Sequence, residues 1–138
     1  FSIERLGDRI RAERMVSRYV IVVFHGGAEH YPLPTPLTRE RYRTIIRLGA
    51  DAVIGGHPHT MQGYELCDGK PIYYSMGNFF FQYVPRQEAS WYRGYMVQLD
   101  FTETGVSGEV IPYTADPDTM RLTPVTGQGY RETPTLPI

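Results

Sequence analysis

The stretch Tyr19-Val-Ile-Val-Val-Phe-His-Gly-Gly27 decides the fold. Its uncharged, β-branched run from Tyr19 to Phe24 reads as a strand buried on both faces, because a half-exposed strand would alternate polar and apolar residues. The run stops abruptly at His25-Gly26-Gly27. Ala52-Val53-Ile54 repeats the pattern as a shorter buried strand, closing in Gly55-Gly56-His57-Pro58-His59. Between the two, Tyr31-Pro-Leu-Pro-Thr-Pro36 is excluded from a helix interior and reads as an extended loop. Thr38 is then the expected N-cap of a helix through Leu48, with Tyr42, Ile45, Ile46 and Leu48 on its apolar side and Gly49 as C-cap. Upstream, Ser2 to Arg18 reads as an amphipathic helix capped by Ser2, with Ile3, Leu6, Ile10, Met15 and Val16 near helical spacing. Helix, strand, helix, strand predicts a parallel α/β unit with crossover helices.

Downstream the texture changes to hairpins. Tyr64 to Cys67 and Pro71 to Ser75 flank Asp68-Gly69, a two-residue turn signal, and Tyr92 to Phe101 and Val106 to Tyr113 flank Thr102-Glu-Thr-Gly105. The fold class expected is therefore α/β, a βαβ unit followed by β-hairpins. Residues 1–113 are expected to form the folded portion, and the Pro-, Thr- and Gly-rich residues 114–138 an irregular C-terminal tail. Phe79, Phe80 and Phe81 with Tyr83 are expected to pack as an aromatic strand. Arg86 and Arg93 are expected to be solvated loop residues, and Asp8 to make a surface ion pair with a helical arginine.

Composition sets limits on function. The 138 residues carry 41% hydrophobic side chains, enough for one core, and a formal charge of −1, which gives no global electrostatic case for nucleic acid or an anionic membrane. Any anionic substrate has to be held locally. The longest uninterrupted apolar run, Val20 to Phe24, is far below the roughly 20 residues that span a bilayer, so no membrane segment is expected. The first residues do not have the layout of a signal peptide. Cys67 is the single cysteine, so no disulfide framework is expected and the redox compartment is left open.

All four histidines, His25, His30, His57 and His59, fall in two short segments that each follow a buried strand. In an open α/β sheet, ligands bind outside the carboxyl ends of the strands, which is where His25 and His57 belong. Pro58 is expected to hold His57 extended, so that His57 and His59 face the same way with Cα atoms roughly 7 Å apart. That spacing suits two neighbouring ions better than one. The bland alternative is that they are hydrogen-bonded turn residues, which a lone histidine at a strand end usually is.

The segment Val22-Val-Phe-His-Gly-Gly-Ala-Glu-His-Tyr31 with Pro34-Thr-Pro36 resembles the His-Trp-Gly-x-Glu-Tyr…Pro-Thr motif of CapA-type proteins, the family linked to bacterial poly-γ-glutamate capsule synthesis. Leu48-Gly-Ala-Asp-Ala-Val-Ile-Gly-Gly-His-Pro-His59, Gln62-Gly63 and Pro71-Ile-Tyr-Tyr-Ser-Met-Gly-Asn-Phe79 resemble the same family's Gly-x-His-Pro-His…Gln-Gly…Tyr-Ser-x-Gly-Asn-Phe signature. The similarity runs from about the first helix to Phe81.

The resemblance implies the C-terminal part of a calcineurin-like four-layer metallophosphoesterase fold. It implies a metal-dependent hydrolase with two divalent ions in the complete domain (Mn, Zn, Mg or Fe), and His25, His57 and His59 as metal-binding, catalytic residues. His25 and His57 would take one ion and His59 the other. Glu29, Tyr31 and Asn78 match motif positions and are candidates for substrate binding, Asn78 also for capping a turn. An anionic phosphoester or polyglutamate substrate, the N-terminal half of the same domain as partner, and a bacterial protein working outside the cytoplasmic membrane or at the cell surface follow from the same resemblance. Gly26 stands where the family commonly has Trp, removing an aromatic wall. The family's aspartate, second carboxylate and Asn-His ligands come from an N-terminal half with no counterpart between Phe1 and Tyr19. The competing readings are a non-catalytic protein that binds or tethers an anionic polymer, and a fragment inactive without that half.

Overall fold

The computed structural model describes residues 2–80, 88–119 and 121–125. Helix α1 (Ile3–Arg14) starts at Ser2, whose side chain accepts from the Arg5 N–H, and complements its dipole with Glu4 in the first turn and Arg11 and Arg14 in the last. It is shorter than expected. Met15 and Val16, assigned above to its apolar side, lie past its end and are exposed. Asp8 pairs with Arg11 at 2.6 Å, as an i, i+3 surface contact should.

Strand β1 (Ile21–His25) leads to helix α2 (Pro36–Arg47) and strand β2 (Ala52–Gly56). The N-cap of α2 is Thr35, which accepts from the Thr38 N–H, so the expected cap at Thr38 is moved one turn earlier. The reason is local: Pro36 has no N–H to lose and its fixed φ suits the first helical position, so the last proline of the loop opens the helix. Leu48 is the C-cap and Gly49 follows with φ +115°.

Strands β3 (Met61–Cys67) and β4 (Lys70–Met76) form the first hairpin, its Asp68-Gly69 turn at φ 52° and 73°. Both values are left-handed, as the type I′ turn that matches strand twist requires. The sheet order is β1-β2-β4-β3, with β1, β2 and β4 parallel and β3 antiparallel. Strands β5 (Arg93–Thr102), β6 (Gly105–Asp116) and β7 (Arg121–Pro124) make a second, antiparallel sheet. The segment 114–138 is therefore not wholly an irregular tail: Thr114 extends β6, and Arg121–Pro124 pairs with it as β7. Pro124, in the stretch expected to be irregular, is accommodated at the end of β7, the outer strand of this sheet, where its missing donor costs little. Residues 126–138, like Phe81, Tyr83 and Arg86, lie outside the described residues.

The two faces of the first sheet are covered differently. Val53, Ile72 and Tyr74 pack with Ile10, Tyr42, Ile45 and Ile46 into the helix-side core, to which Val22 and Phe24 contribute. Tyr73, one residue out of phase with Tyr74, points to the other side and meets Tyr95 of β5. The second sheet thus covers β3 and β4, and β1 is an edge strand. Val23 is 76% exposed, which corrects the expectation that this run is buried on both faces. β-Branching specifies a strand, but the number of neighbours is set by topology.

Gly55 controls the end of β2. A β-carbon there would overlap the Tyr74 carbonyl oxygen and sit 2.6 Å from the Tyr42 hydroxyl, so β2 could not stay against β4. Gly55→Ala is expected to cost about 3 kcal/mol or more, since the clash is with backbone and cannot be relieved by a rotamer. Urea unfolding of the variant checks this; a midpoint within error of wild type would refute the packing described.

Candidate metal centre

The parallel strands β1 and β2 run side by side to His25 and Gly56, which are register partners. Their carboxyl ends carry the loops 26–31 and 57–60, which are stitched together by backbone bonds from Gly26 N–H to the Gly56 carbonyl at 2.9 Å and from His30 N–H to the Pro58 carbonyl at 2.8 Å. Gln62 adds a bond from its side-chain amide to the Tyr31 carbonyl at 2.9 Å. Residues distant in sequence are thereby held within one small volume.

The backbone there is unusual. His30, His57 and His59 have φ of 62°, 107° and 57°, and the remaining non-glycine residue with positive φ among the described residues is Asp68 of the hairpin turn. The expected extended conformation of His57 is therefore wrong: the chain turns sharply through His57-Pro58-His59. Proline disfavours helical backbone in the residue before it but leaves positive φ open when the surroundings enforce it. The two imidazoles still converge, with ring centroids 5.9 Å apart, because the turn folds them toward each other.

Glu29 joins them. Its Oε1 lies 3.5 Å from His57 Nε2, and one ligand atom each from Glu29, His57 and His59 can be chosen so that all lie within 4.8 Å of one another. Ligands around one zinc-like ion sit about 2.0–2.2 Å from it, so these three need only close slightly to share an ion. Two imidazoles and one carboxylate suit borderline cations such as Zn²⁺, Mn²⁺ or Fe²⁺ better than the hard, oxygen-seeking Mg²⁺.

The other sequence candidates fall around this cluster. His25 is exposed and meets the His57 ring edge-on at 5.0 Å, flanking the group of three rather than joining it. Tyr31 is 63% exposed on the rim. Asn78 is 5% exposed, with Oδ1 2.8 Å from His59 Nδ1 and Nδ2 donating to the Trp91 carbonyl at 3.0 Å. Arg93 is exposed as expected, but it opens strand β5 opposite Thr114 and does not lie in a loop.

Two contributors were not legible beforehand. Glu29 stood out as a neighbour of the site, not as a ligand beside His57. Trp91, from a short 3-10 helix at Ala89–Tyr92, stacks on His59 at 5.2 Å and 22°, and the His30 ring lies 6.1 Å from the same His59 imidazole. An aromatic wall thus stands beside His59 although Gly26 supplies none. His30, His59, Thr60, Glu88, Ser90 and Trp91 line a cleft of about 350 Å³ next to the cluster.

Comparison with known proteins bears on the same segment. The chain is 39% identical over 62 residues to the PGA biosynthesis protein CapA of Bacillus subtilis (strain 168), covering 45% of this chain and 16% of that protein. It is 36% identical over 62 residues to the capsule biosynthesis protein CapA of Bacillus anthracis, covering 45% and 15%. The uncharacterized protein y4sH of Sinorhizobium fredii (strain NBRC 101917 / NGR234) is 42% identical over 81 residues, covering 55% and 18%. The matches span less than a fifth of the length of these relatives. The family model described as bacterial capsule synthesis protein PGA_cap matches residues 2–83, more than half of the chain and all of the candidate ligands. By that match, the chain belongs to the bacterial capsule synthesis protein PGA_cap family.

Proposed function

We propose that this chain is the metal-bearing C-terminal part of a calcineurin-like, metal-dependent hydrolase of the CapA type, acting on an anionic substrate of the phosphoester class. The observation that carries the reading is the convergence of Glu29, His57 and His59 at the carboxyl ends of parallel strands, on turns whose positive φ is costly for non-glycine residues. Glu29, His57 and His59 would hold the ion, and the Glu29 carboxylate would offset part of its charge. A divalent ion bound there supplies a Lewis acid that stabilises charge developing on an attacked phosphoryl group. His25, Tyr31 and the cleft beside Trp91 are the groups this chain offers to a substrate approaching from the rim. In the complete domain, the N-terminal half would bring the carboxylates for a second ion and would cover the exposed edge at β1. The CapA relatives' names point to a capsule polymer, so a surface or extracytoplasmic location and a polyglutamate ligand belong to the same proposal.

The test is hydrolysis of a chromogenic phosphodiester by the complete parent protein loaded with Mn²⁺ or Zn²⁺, beside Glu29→Ala and His57→Ala. Metal-dependent turnover that both variants lose supports the reading. A folded, metal-loaded parent without turnover, yet retaining polyglutamate, would replace it with a non-catalytic polymer-binding role. For this chain alone, elemental analysis after reconstitution with Zn²⁺ is expected to return at most one tightly held ion. The three donors can balance one cation, and two ions would ordinarily need a bridging oxygen ligand. Two ions per chain would show that the ligand set is wrong.

A further inference from the structure

Asn78 was expected either at the substrate or as a turn cap, and its surroundings point elsewhere. Its amide nitrogen donates to the carbonyl of Trp91 at 3.0 Å and lies 3.4 Å from the carbonyl of His59. Carbonyl oxygens only accept, so this end of the amide has to be the NH₂ group and the opposite end, 2.8 Å from His59 Nδ1, has to be Oδ1. An amide oxygen also only accepts. The proton of that bond must therefore come from the imidazole, which leaves the lone pair of neutral His59 on Nε2.

We infer that Asn78 is a positioning residue that locks His59 in the Nδ1–H tautomer and so presents Nε2 to the metal centre. A metal-binding histidine commonly needs its other ring nitrogen held in this way, because the partner fixes both tautomer and ring orientation. The stacked Trp91 ring, 22° from the His59 plane, restrains the imidazole from a second direction, and the carbonyl of the same Trp91 orients the Asn78 amide.

The second sheet holds Asn78 in turn. Its backbone carbonyl accepts from the buried Tyr113 hydroxyl of β6 at 2.9 Å. Gly77, at φ +75°, bridges to Gly94 of β5, where a β-carbon would overlap the Tyr113 hydroxyl and lie 2.9 Å from the Asn78 carbonyl. Glycine at 94 is thus what lets Tyr113 reach Asn78. The hairpin sheet, which contributes no ligand among the described residues, acts on His59 through this amide.

The consequence for metal rests on the reading proposed above, whereas the tautomer does not, so the experiment separates them. Long-range proton–nitrogen correlation spectra of the metal-free chain, recorded in mildly alkaline buffer, report which ring nitrogen carries the proton. Wild type is expected to show His59 protonated at Nδ1. Asn78→Ala is expected to shift His59 toward the Nε2–H form that free histidine favours, while Asn78→Asp, which loses the donor to the Trp91 carbonyl but keeps an acceptor beside Nδ1, retains Nδ1–H. Zinc affinity by chelator competition is expected to fall 10- to 100-fold in Asn78→Ala and to recover in part in Asn78→Asp. Wild-type His59 protonated at Nε2, or an unchanged tautomer in a folded Asn78→Ala, overturns the inference. Should Asn78→Ala fail to fold, the wild-type and Asn78→Asp spectra still decide it. The expected tautomers in a chain that binds no zinc would uphold the role of Asn78 and sink the metal reading alone.

Discussion

Replacing His57, His59 or Glu29 with alanine is expected to remove most of the thermal stabilisation that excess Zn²⁺ gives the wild-type chain. An ion present at 100 times its dissociation constant stabilises the folded state by about 2.7 kcal/mol, roughly 10 °C for a chain of this size. Loss of one ligand of three that weakens binding 100-fold would leave only about 0.4 kcal/mol of that. His25→Ala should keep most of the shift, because His25 flanks His57 without entering the group of donors within 4.8 Å. The metal-free variants should unfold near wild type, since none of these side chains belongs to the hydrophobic core. Thermal unfolding of all five proteins with and without Zn²⁺ is the measurement. Equal metal shifts in every protein, with the variants less stable throughout, would make these histidines turn residues and nothing more. A shift lost in His25→Ala and kept in Glu29→Ala would restore the ligand set implied by the family resemblance.

Arg43→Met is expected to cost about 3 kcal/mol at neutral pH, the range found when one partner of a buried ion pair is removed. The Glu65 side chain is 4% exposed and receives two charge-assisted bonds from Arg43, at 2.7 and 2.8 Å, and one from the Tyr74 hydroxyl at 2.7 Å. Arg39, 3.5 Å away, can recover part of the loss, so the double replacement of Arg39 and Arg43 should cost more than the two single ones together. The hydrogen bond from Arg43 holds the Glu65 carboxyl below the usual range against the opposing effect of burial. A depressed carboxyl contributes stability that is fully present above its unfolded pKa, about 4.3, and is lost as pH falls through the folded value. Glu65→Gln should accordingly flatten the acid limb of the stability curve. Urea unfolding at pH 7 and at about pH 3.5 checks both points. An Arg43→Met variant within about 0.5 kcal/mol of wild type would mean that α2 is held on the sheet by its apolar face alone.

The amino-acid sequence by itself determined the features that depend on neighbours along the chain. The Ser2 cap, the amphipathic α1, the β-branched runs that become β1 and β2, and the Asp68-Gly69 turn all follow from backbone preference and side-chain period. Placing His25 and His57 at strand ends needed only the knowledge that each run stops at glycine. What the tertiary structure alone decided involves partners far apart in sequence. Whether β1 has cover on both faces depends on where the second sheet lies, and Val23 is exposed because that sheet sits over β3 and β4. The sharp turn through His57-Pro58-His59 is enforced by the His30 to Pro58 bond, which wins over the local preference of a residue before proline. Glu29 meets His57 across 28 positions, and Trp91 meets His59 across 32, so no local pattern of either segment encodes the contact. Local sequence fixes torsion and periodicity, whereas the meeting of two loops is settled only when parallel strands align their carboxyl ends.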